Sequence, residues 1–315
     1  MKLLIDTDIG SDIDDALALL LLLHMAEVDI LGVTTTYGCV DVRAKIAKKI
    51  INARGLNVPV FAGSAQPLSR WPQVWHTGTE GKGILDDDES RADLTDLGIG
   101  TRANEFIADT VVRNPGEVTL VALGPLTNVA MAIRENPQVA EKAKAIYFMG
   151  CGVTFPARAP ENLQQGTKYR SEPSHNVWAD LRAAREVFES EARISAVTND
   201  VTTQVWWDGS SVRALTDSDG PPEAVLVGSM LKVWLEHRSE SFNKPITGTC
   251  PHDALAAAEA CGRGFVRYES GLMHIDCNRY TTFTPDPSGR HRAGACVDAE
   301  RFLEWFPHAL LGPLR

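Results

Sequence analysis

Ten residues near the amino terminus carry five carboxylates: Asp6-Thr7-Asp8-Ile9-Gly10-Ser11-Asp12-Ile13-Asp14-Asp15. Groups this dense repel one another. Two unit charges 4 Å apart cost about 4 kcal/mol at an effective dielectric near 20. Helix N-terminal amides offset one or two such charges, and Asp14 and Asp15 stand where a helix would begin. An acidic capping turn open to water therefore accounts for part of the run and not for all five. A hard cation accounts for the whole, because Ca²⁺ and Mg²⁺ prefer carboxylate and carbonyl oxygen. Two known acidic motifs fit less well. An EF-hand loop needs D-x-D-x-D-G with glutamate at position twelve; Ile13 and Asp14 break that match, and such a loop does not begin with a buried strand. A phosphatase of the haloacid dehalogenase kind also opens with D-x-D after a strand, but wants Thr or Val where this chain has Gly10.

Four further segments carry polar groups at places where chemistry is possible. Cys250-Pro251-His252-Asp253 precedes an alanine-rich stretch. Asp253 could be a plain N-cap there, or could reach the same cation as Asp8, with His252 beside it as a proton donor or an orienter of ligands. Leu120-Val121-Ala122-Leu123-Gly124-Pro125-Leu126-Thr127-Asn128 reads as a strand, a tight Gly-Pro turn and a helix. Tyr147-Phe148-Met149-Gly150-Cys151-Gly152 is another strand ending in a glycine turn. In His175-Asn176-Val177-Trp178-Ala179-Asp180, Asn176 could bond hydroxyls and Asp180 could cap the next helix.

These motifs sit within an alternating pattern. Strands are expected at Lys2–Ile5, Val28–Thr36, Val58–Ala62, Val118–Leu123, Lys144–Met149 and Ile194–Thr198. Helices are expected at Asp14–Met25, Val42–Ala53, Asn104–Arg113, Leu126–Arg134, Leu181–Ser190, Glu223–His237, Asp253–Ala260 and Glu300–Leu311. Residues 63–100 and 150–175 read as loops, and 265–298 as a β-rich stretch adding a small hairpin. Such alternation implies an α/β fold with an open, mostly parallel central sheet and helices on both faces, a Rossmann-like core. In such sheets ligands bind outside the carboxyl ends of the strands, which directs attention to the residues after Ile5, Thr36, Leu123 and Met149.

The chain has 315 residues, 31 Lys+Arg against 41 Asp+Glu, and a net charge of −10. The acidic balance argues against a nucleic-acid binder, which would carry a basic stripe. No repeat or flexible linker divides the chain, so one domain over 1–315 is expected. The longest apolar stretch, Ala16 to Leu23, is far short of the ~20 residues a membrane span needs. Six scattered cysteines without C-x-x-C spacing suggest reduced thiols, and no Cys/His set converges in sequence, so zinc is not expected. Met1-Lys2-Leu3-Leu4-Ile5-Asp6 reads as a strand rather than a secretory signal, and a cytoplasmic protein is the expectation.

Together these segments resemble the inosine-uridine type nucleoside hydrolase family. The resemblance rests on Asp6-Thr7-Asp8-x-Gly10 with Asp14-Asp15-Ala16, on Val33-Thr34-Thr35-x-Tyr37-Gly38, Leu123-Gly124-Pro125-Leu126-Thr127-Asn128 and Met149-Gly150, and on Asn176-x-x-x-Asp180 and His252-Asp253. It runs from residue 2 to about 275 in the family's order, with 63–115 and 200–248 matching only in length and general pattern. It implies a nucleoside hydrolase-like fold and hydrolysis of a nucleoside's N-glycosidic bond to free base and ribose. It implies Ca²⁺ held by Asp8, Asp15, Asp253 and the Leu123 carbonyl, with ribose hydroxyls completing the shell. Asp8 would take a proton from the metal-bound water that attacks the anomeric carbon, and His252 would sit on the leaving-group side. Asp14 and Asn176 would bond ribose; Met149, His76, Trp234 and Ser174 are the other expected substrate contacts. Trp178, Trp206, Trp207 and Phe155 are further aromatics available to stack on a base. As in relatives, a homodimer or homotetramer is expected.

Three positions depart from the family's pattern. Cys39 stands where an asparagine commonly follows the glycine of the second-strand motif. Ser174 stands where glutamate commonly precedes the asparagine, with Glu172 two residues further back. Asp12-Ile13 are extra residues in the first motif, which makes Asp12 an alternative to Asp14 for part of its role. The first two departures touch ribose recognition and leave the metal set intact. Two rivals follow: a calcium-dependent nucleoside or sugar binder without catalysis, and a hydrolase of a modified nucleoside or another N-glycoside.

Overall fold

The computed structural model describes residues 1–70, 74–153, 169–216 and 219–311. Seven strands, joined to an eighth at His291–Val297, form the parallel part of the sheet: β1 (Lys2–Thr7), β2 (Asp29–Thr35), β3 (Val60–Ala62), β4 (Ile99–Thr101), β5 (Val118–Ala122), β6 (Ala145–Met149) and β8 (Ile194–Val197). Their order in space is β4-β3-β2-β1-β5-β6-β8. The chain thus winds outward from β1 to one edge, then returns to lay β5 on β1's other side. β1 and β5 pair in register from Lys2↔Val118 to Asp6↔Ala122. The gap between their carboxyl ends is the place where strand order reverses, the position at which open α/β sheets bind ligands.

Helices cover both faces. On one lie α1 (Asp14–His24), α2 (Val40–Ala53), α11 (Pro222–Phe242), α12 (His252–Ala260) and α13 (Ala299–Leu311); on the other lie α4 (Ala103–Arg113), α5 (Thr127–Glu135) and α8 (Leu181–Glu189). The sequence of α1, Asp-Asp-Ala-Leu-Ala-Leu-Leu-Leu-Leu-Leu-His, is apolar all round, and it is buried from Asp14 to Leu23. Such a helix belongs inside a layered core rather than on its surface. Each buried leucine contributes roughly 1.5–3 kcal/mol. Its closest helical neighbour is α12, whose Ala254, Ala256, Ala257 and Ala258 are buried. Small side chains on one helix let the leucines of the other fill the interface.

The expected α/β architecture is present, with corrections in four segments. Residues 63–100 are not wholly irregular. They contain α3 (Asp87–Arg91), which Asp86 and Glu89 open with a reciprocal capping box, and the edge strand β4. The interval 150–175 contains β7 (Tyr169–Ser171). The 265–298 stretch does contain the expected hairpin, between β11 (Val266–Ile275) and β12 (Thr281–Pro285), but as part of the main sheet. β11, β12 and β13 (His291–Val297) extend that sheet, with β13 parallel to β8 and the strands beyond it antiparallel, to β7 at the far edge. The helix expected to end at His237 continues to Phe242. No helix among the described residues is long and apolar enough to cross a membrane.

Candidate active site

A cleft of about 500 Å³ opens at the carboxyl ends of β1, β5 and β6, and Asp8, Asp12, Asp14, Asp15, Leu123 and Asp253 all line it. The turn that follows β1 is held from several directions. Gly10 adopts φ +112°, a conformation that strongly favours glycine. A Cβ on Gly124 would lie 2.7 Å from Asp8 Oδ1, so the β5 turn can approach Asp8 only because residue 124 has no side chain. The fully buried Arg43 of α2 donates to the carbonyl oxygens of Tyr37 (2.7 Å), Asp8 and Ile9 (3.0 Å) and to Ser11 Oγ (2.9 Å). Its rigid fork of donors joins the β1 and β2 turns.

Carboxylate oxygens of Asp14, Asp15 and Asp253 lie within 4.8 Å of one another, and all three residues are buried. Two come from the start of α1 and one from the start of α12, so two helix N-termini converge on the cluster. Thr7 Oγ1 donates to Asp15. Burial, reinforced by the charge of Asp8, pushes the Asp15 carboxyl up to about 7. Burial and mutual repulsion raise Asp14 and Asp253 well above the usual carboxylate range. Asp253 Oδ1 has no hydrogen-bond partner. An oxygen-only donor set, buried and short of positive charge, fits a hard divalent cation. Asp6 is separate from this set. Its Oδ1 accepts from Thr34 Oγ1 (2.6 Å) and Asn128 Nδ2 (2.8 Å), and burial pushes its carboxyl up to about 7. Asp6 therefore ties the ends of β1 and β2 to the first turn of α5.

These shifts carry a sign. A carboxyl whose pKa is higher in the folded chain than in the unfolded one stabilises the fold below the unfolded value, near 4, and loses that contribution as pH rises through the folded value, near 7. In chelator, the melting temperature should accordingly fall as pH is raised from 5.5 to 8, and a hard divalent cation should restore it most at pH 8. A chelated protein whose melting temperature stayed flat or rose over that range would contradict the electrostatic account.

The opposite wall holds groups suited to a polar sugar and a flat base. Asn176 Nδ2 donates to the backbone oxygens of Leu123 and Met149 (3.0 Å for the latter), which leaves Oδ1 free to accept from a hydroxyl. Ser174, Met149 and Trp234 line the cleft as the sequence reading placed them, and Ser174 Oγ also accepts from Cys151 N at 3.0 Å. His252 lines it as well. Its Nδ1 lies 2.7 Å from Thr202 Oγ1, and burial lowers its pKa to about 4, so the ring is neutral at pH 7. Asp180 caps α8 by accepting from Ala183 N, as expected, and also binds Thr127, Leu68 and Ser69.

Other candidates do not line the cleft. His76 lies over Gly38 beside Cys39 and Glu80. Cys39, expected to replace a ribose-binding asparagine, sits at the N-cap of α2. Trp207 is buried against Phe306, and Trp178 and Trp206 are exposed outside the lining; Glu172 is exposed too. Phe155 lies outside the described residues. The cleft also contains groups that sequence reading overlooked, among them Trp75, Asn199, His237 and Arg238. Trp234, Arg238 and Ser241 of α11 recur at helical spacing along one wall, a signal present in the sequence. Trp75 lies within 63–100, where the sequence shows little regular structure to mark it.

The chain and its fold are both similar to known proteins. A family model described as inosine-uridine preferring nucleoside hydrolase matches residues 3–304. The chain is 31% identical over 281 residues to a probable uridine nucleosidase 1 of Oryza sativa subsp. japonica, covering 87% of this chain and 81% of that protein. It is 28% identical over 283 residues to a pyrimidine-specific ribonucleoside hydrolase of Escherichia coli (strain SE11), covering 88% and 83%. The fold is that of a purine-preferring ribonucleoside hydrolase from Gardnerella vaginalis, with a TM-score of 0.79 at 23% identity over 98% of both chains.

Proposed function

This chain belongs to the inosine-uridine preferring nucleoside hydrolase family, enzymes that hydrolyse the N-glycosidic bond of nucleosides, and we propose that it does so with a calcium ion held at the acidic cluster. The observation that carries the proposal is the convergence of Asp14, Asp15 and Asp253 in one buried space. Asp15 and Asp253, with Asp14 beside them, are the residues that would hold the ion. Asp8 and the Leu123 carbonyl line the same cleft and complete an oxygen-only set. Such an ion supplies Lewis acidity toward water and hydroxyl oxygen.

The remaining steps belong to side chains. Asp8 accepts the proton of the attacking water on one of its carboxylate oxygens. Cleavage passes through an oxocarbenium-like state whose positive charge the surrounding carboxylates favour. Asn176 Oδ1 accepts a hydrogen bond from a ribose hydroxyl, and its amide group, fixed by two backbone oxygens, needs no reorganisation to do so. Ser174, in place of the family's longer glutamate, leaves room on the ribose side. Trp234 and Trp75 offer flat faces to the base. His252 is neutral at working pH, so its ring assists the leaving base by hydrogen bonding rather than as a standing imidazolium.

We further propose one domain over residues 1–315, a homodimer or homotetramer, and a cytoplasmic location. The test of the activity is a reducing-sugar assay over a nucleoside panel, run with and without chelator. Release of ribose that stops on chelation and returns with Ca²⁺ is expected. Uridine is the first substrate to try, given the rice relative. Tight nucleoside binding without any release of base would overturn the catalytic reading, and undiminished turnover in chelator would overturn the role of the ion.

A further inference from the structure

We propose that Cys39, His76 and Glu80 form a second cation site, selective for a thiophilic divalent ion of the zinc class, at the rim of the cleft. One ligand atom from each residue lies within 4.8 Å of the other two. Cys39 is distant in sequence from His76 and Glu80, which is why cysteine and histidine spacing alone did not reveal the set. Thiolate and imidazole are soft donors that favour Zn²⁺ over Ca²⁺. Three protein ligands with a fourth position open to water is an ordinary zinc arrangement.

The fold brings these donors together without help from an ion. Tyr37 and Gly38 both adopt left-handed φ values, 66° and 74°, and turn the chain so that Cys39 begins α2 beneath His76. A Cβ on Gly38 would lie 2.9 Å from His76 Cε1, so glycine is what lets the two loops meet. Tyr37 Oη accepts from Trp75 N at 3.0 Å, next to His76 in the chain. Glu80 is also fixed: Oε1 accepts from Thr77 N (2.8 Å) and Ser11 Oγ (3.2 Å), and Oε2 from Gly78 N (2.8 Å). Its carboxylate retains lone pairs for a cation. On binding, the Cys39 thiol gives its proton to solvent and the sulfur joins the ion as thiolate.

The position matters for function. Ser11 and Thr77, both bound by Glu80, line the cleft, and so does Trp75 beside His76. An ion that draws the three donors together would fasten residues 75–80 onto the turn between β2 and α2, while Glu80 keeps its bond to Ser11 in the turn that carries Asp8 and Asp12. The site does not depend on the nucleoside reading, because its donors are separate from the acidic cluster.

Co²⁺ is the direct probe, added to the full chain in excess Ca²⁺ so that the oxygen site is filled. One equivalent should develop a thiolate-to-cobalt charge-transfer band that Zn²⁺ displaces. Cys39→Ser should abolish the band. His76→Ala, which keeps the thiol, should weaken Co²⁺ binding by at least about tenfold, since even outer-shell losses cost that much. Asp15→Asn should leave the band in place. Absence of the band in the unaltered protein, its survival in Cys39→Ser or its loss in Asp15→Asn would each overturn the proposal.

Discussion

Replacing Asp15 with alanine is expected to remove the bound cation and nucleoside hydrolysis together. A Lewis-acid contribution of several kcal/mol is lost, and each 1.4 kcal/mol is about tenfold in rate, so the fall should be on the order of a thousandfold or more. The same variant should not be less stable in chelator. Burial and the charge of Asp8 raise the cost of ionising Asp15, against the favourable contacts of Thr7, Arg43 and Asp253, and the charge of Asp15 in turn raises the carboxyls of Asp14 and Asp253. Deleting it relieves repulsion, so a melting temperature in chelator equal to or above that of the unaltered chain separates loss of the ion from loss of the fold. Metal analysis after dialysis and the reducing-sugar assay read the two effects. Full cation occupancy in Asp15→Ala would sink the assignment.

Asp8→Asn should behave differently. The amide preserves shape and one oxygen, and fits beside Gly124 where a larger group would not. It cannot accept the proton of the attacking water. General-base removal typically costs ~10²–10⁴ in rate, and the loss should fall on kcat, with KM and cation content little changed. Steady-state kinetics with uridine and a metal analysis distinguish the cases. If KM rose in proportion while kcat held, Asp8 would be a binding group and another base would be required.

How much of this was legible beforehand depended on whether a signal was local. Strand-helix alternation is local, so the parallel half of the sheet and most of its helices could be read from apolar runs. The acidic run after β1 and the His252-Asp253 pair are local too, and both lead to the cleft. The structure refines their relation: it is Asp14, buried at the start of α1, that approaches Asp15 and Asp253 most closely, while Asp8 lines the cleft beside them. Residue type without burial could not separate Asp6 from its neighbours; only the partners Thr34 and Asn128 show that it braces the sheet. Arg43 was unreadable for a similar reason. It carries no motif and its partners are backbone oxygens of another turn. The antiparallel extension was seen as β-rich, but a strand's neighbours depend on long-range register that composition does not encode. The short strand β7 and the helix α3 lack the length for periodicity to register.

The packing of α1 against α12 has an evolutionary consequence. The carboxylates of Asp14, Asp15 and Asp253 sit at the first turns of these two helices, so the spacing between the helix axes sets the spacing between the acids. Interaxial distance follows the bulk of the side chains at the contact. Those of the buried alanines Ala254, Ala256, Ala257 and Ala258 that meet α1 therefore share in the constraint that chemistry imposes, although none of the four lines the cleft. Drift at those positions toward valine or leucine would be penalised in a lineage that needs the activity and could be repaired by shortening a leucine across the interface. Paired changes between leucines of α1 and the alanines of α12 that meet them, rather than changes in the acids, are where divergence within this lineage would leave its record.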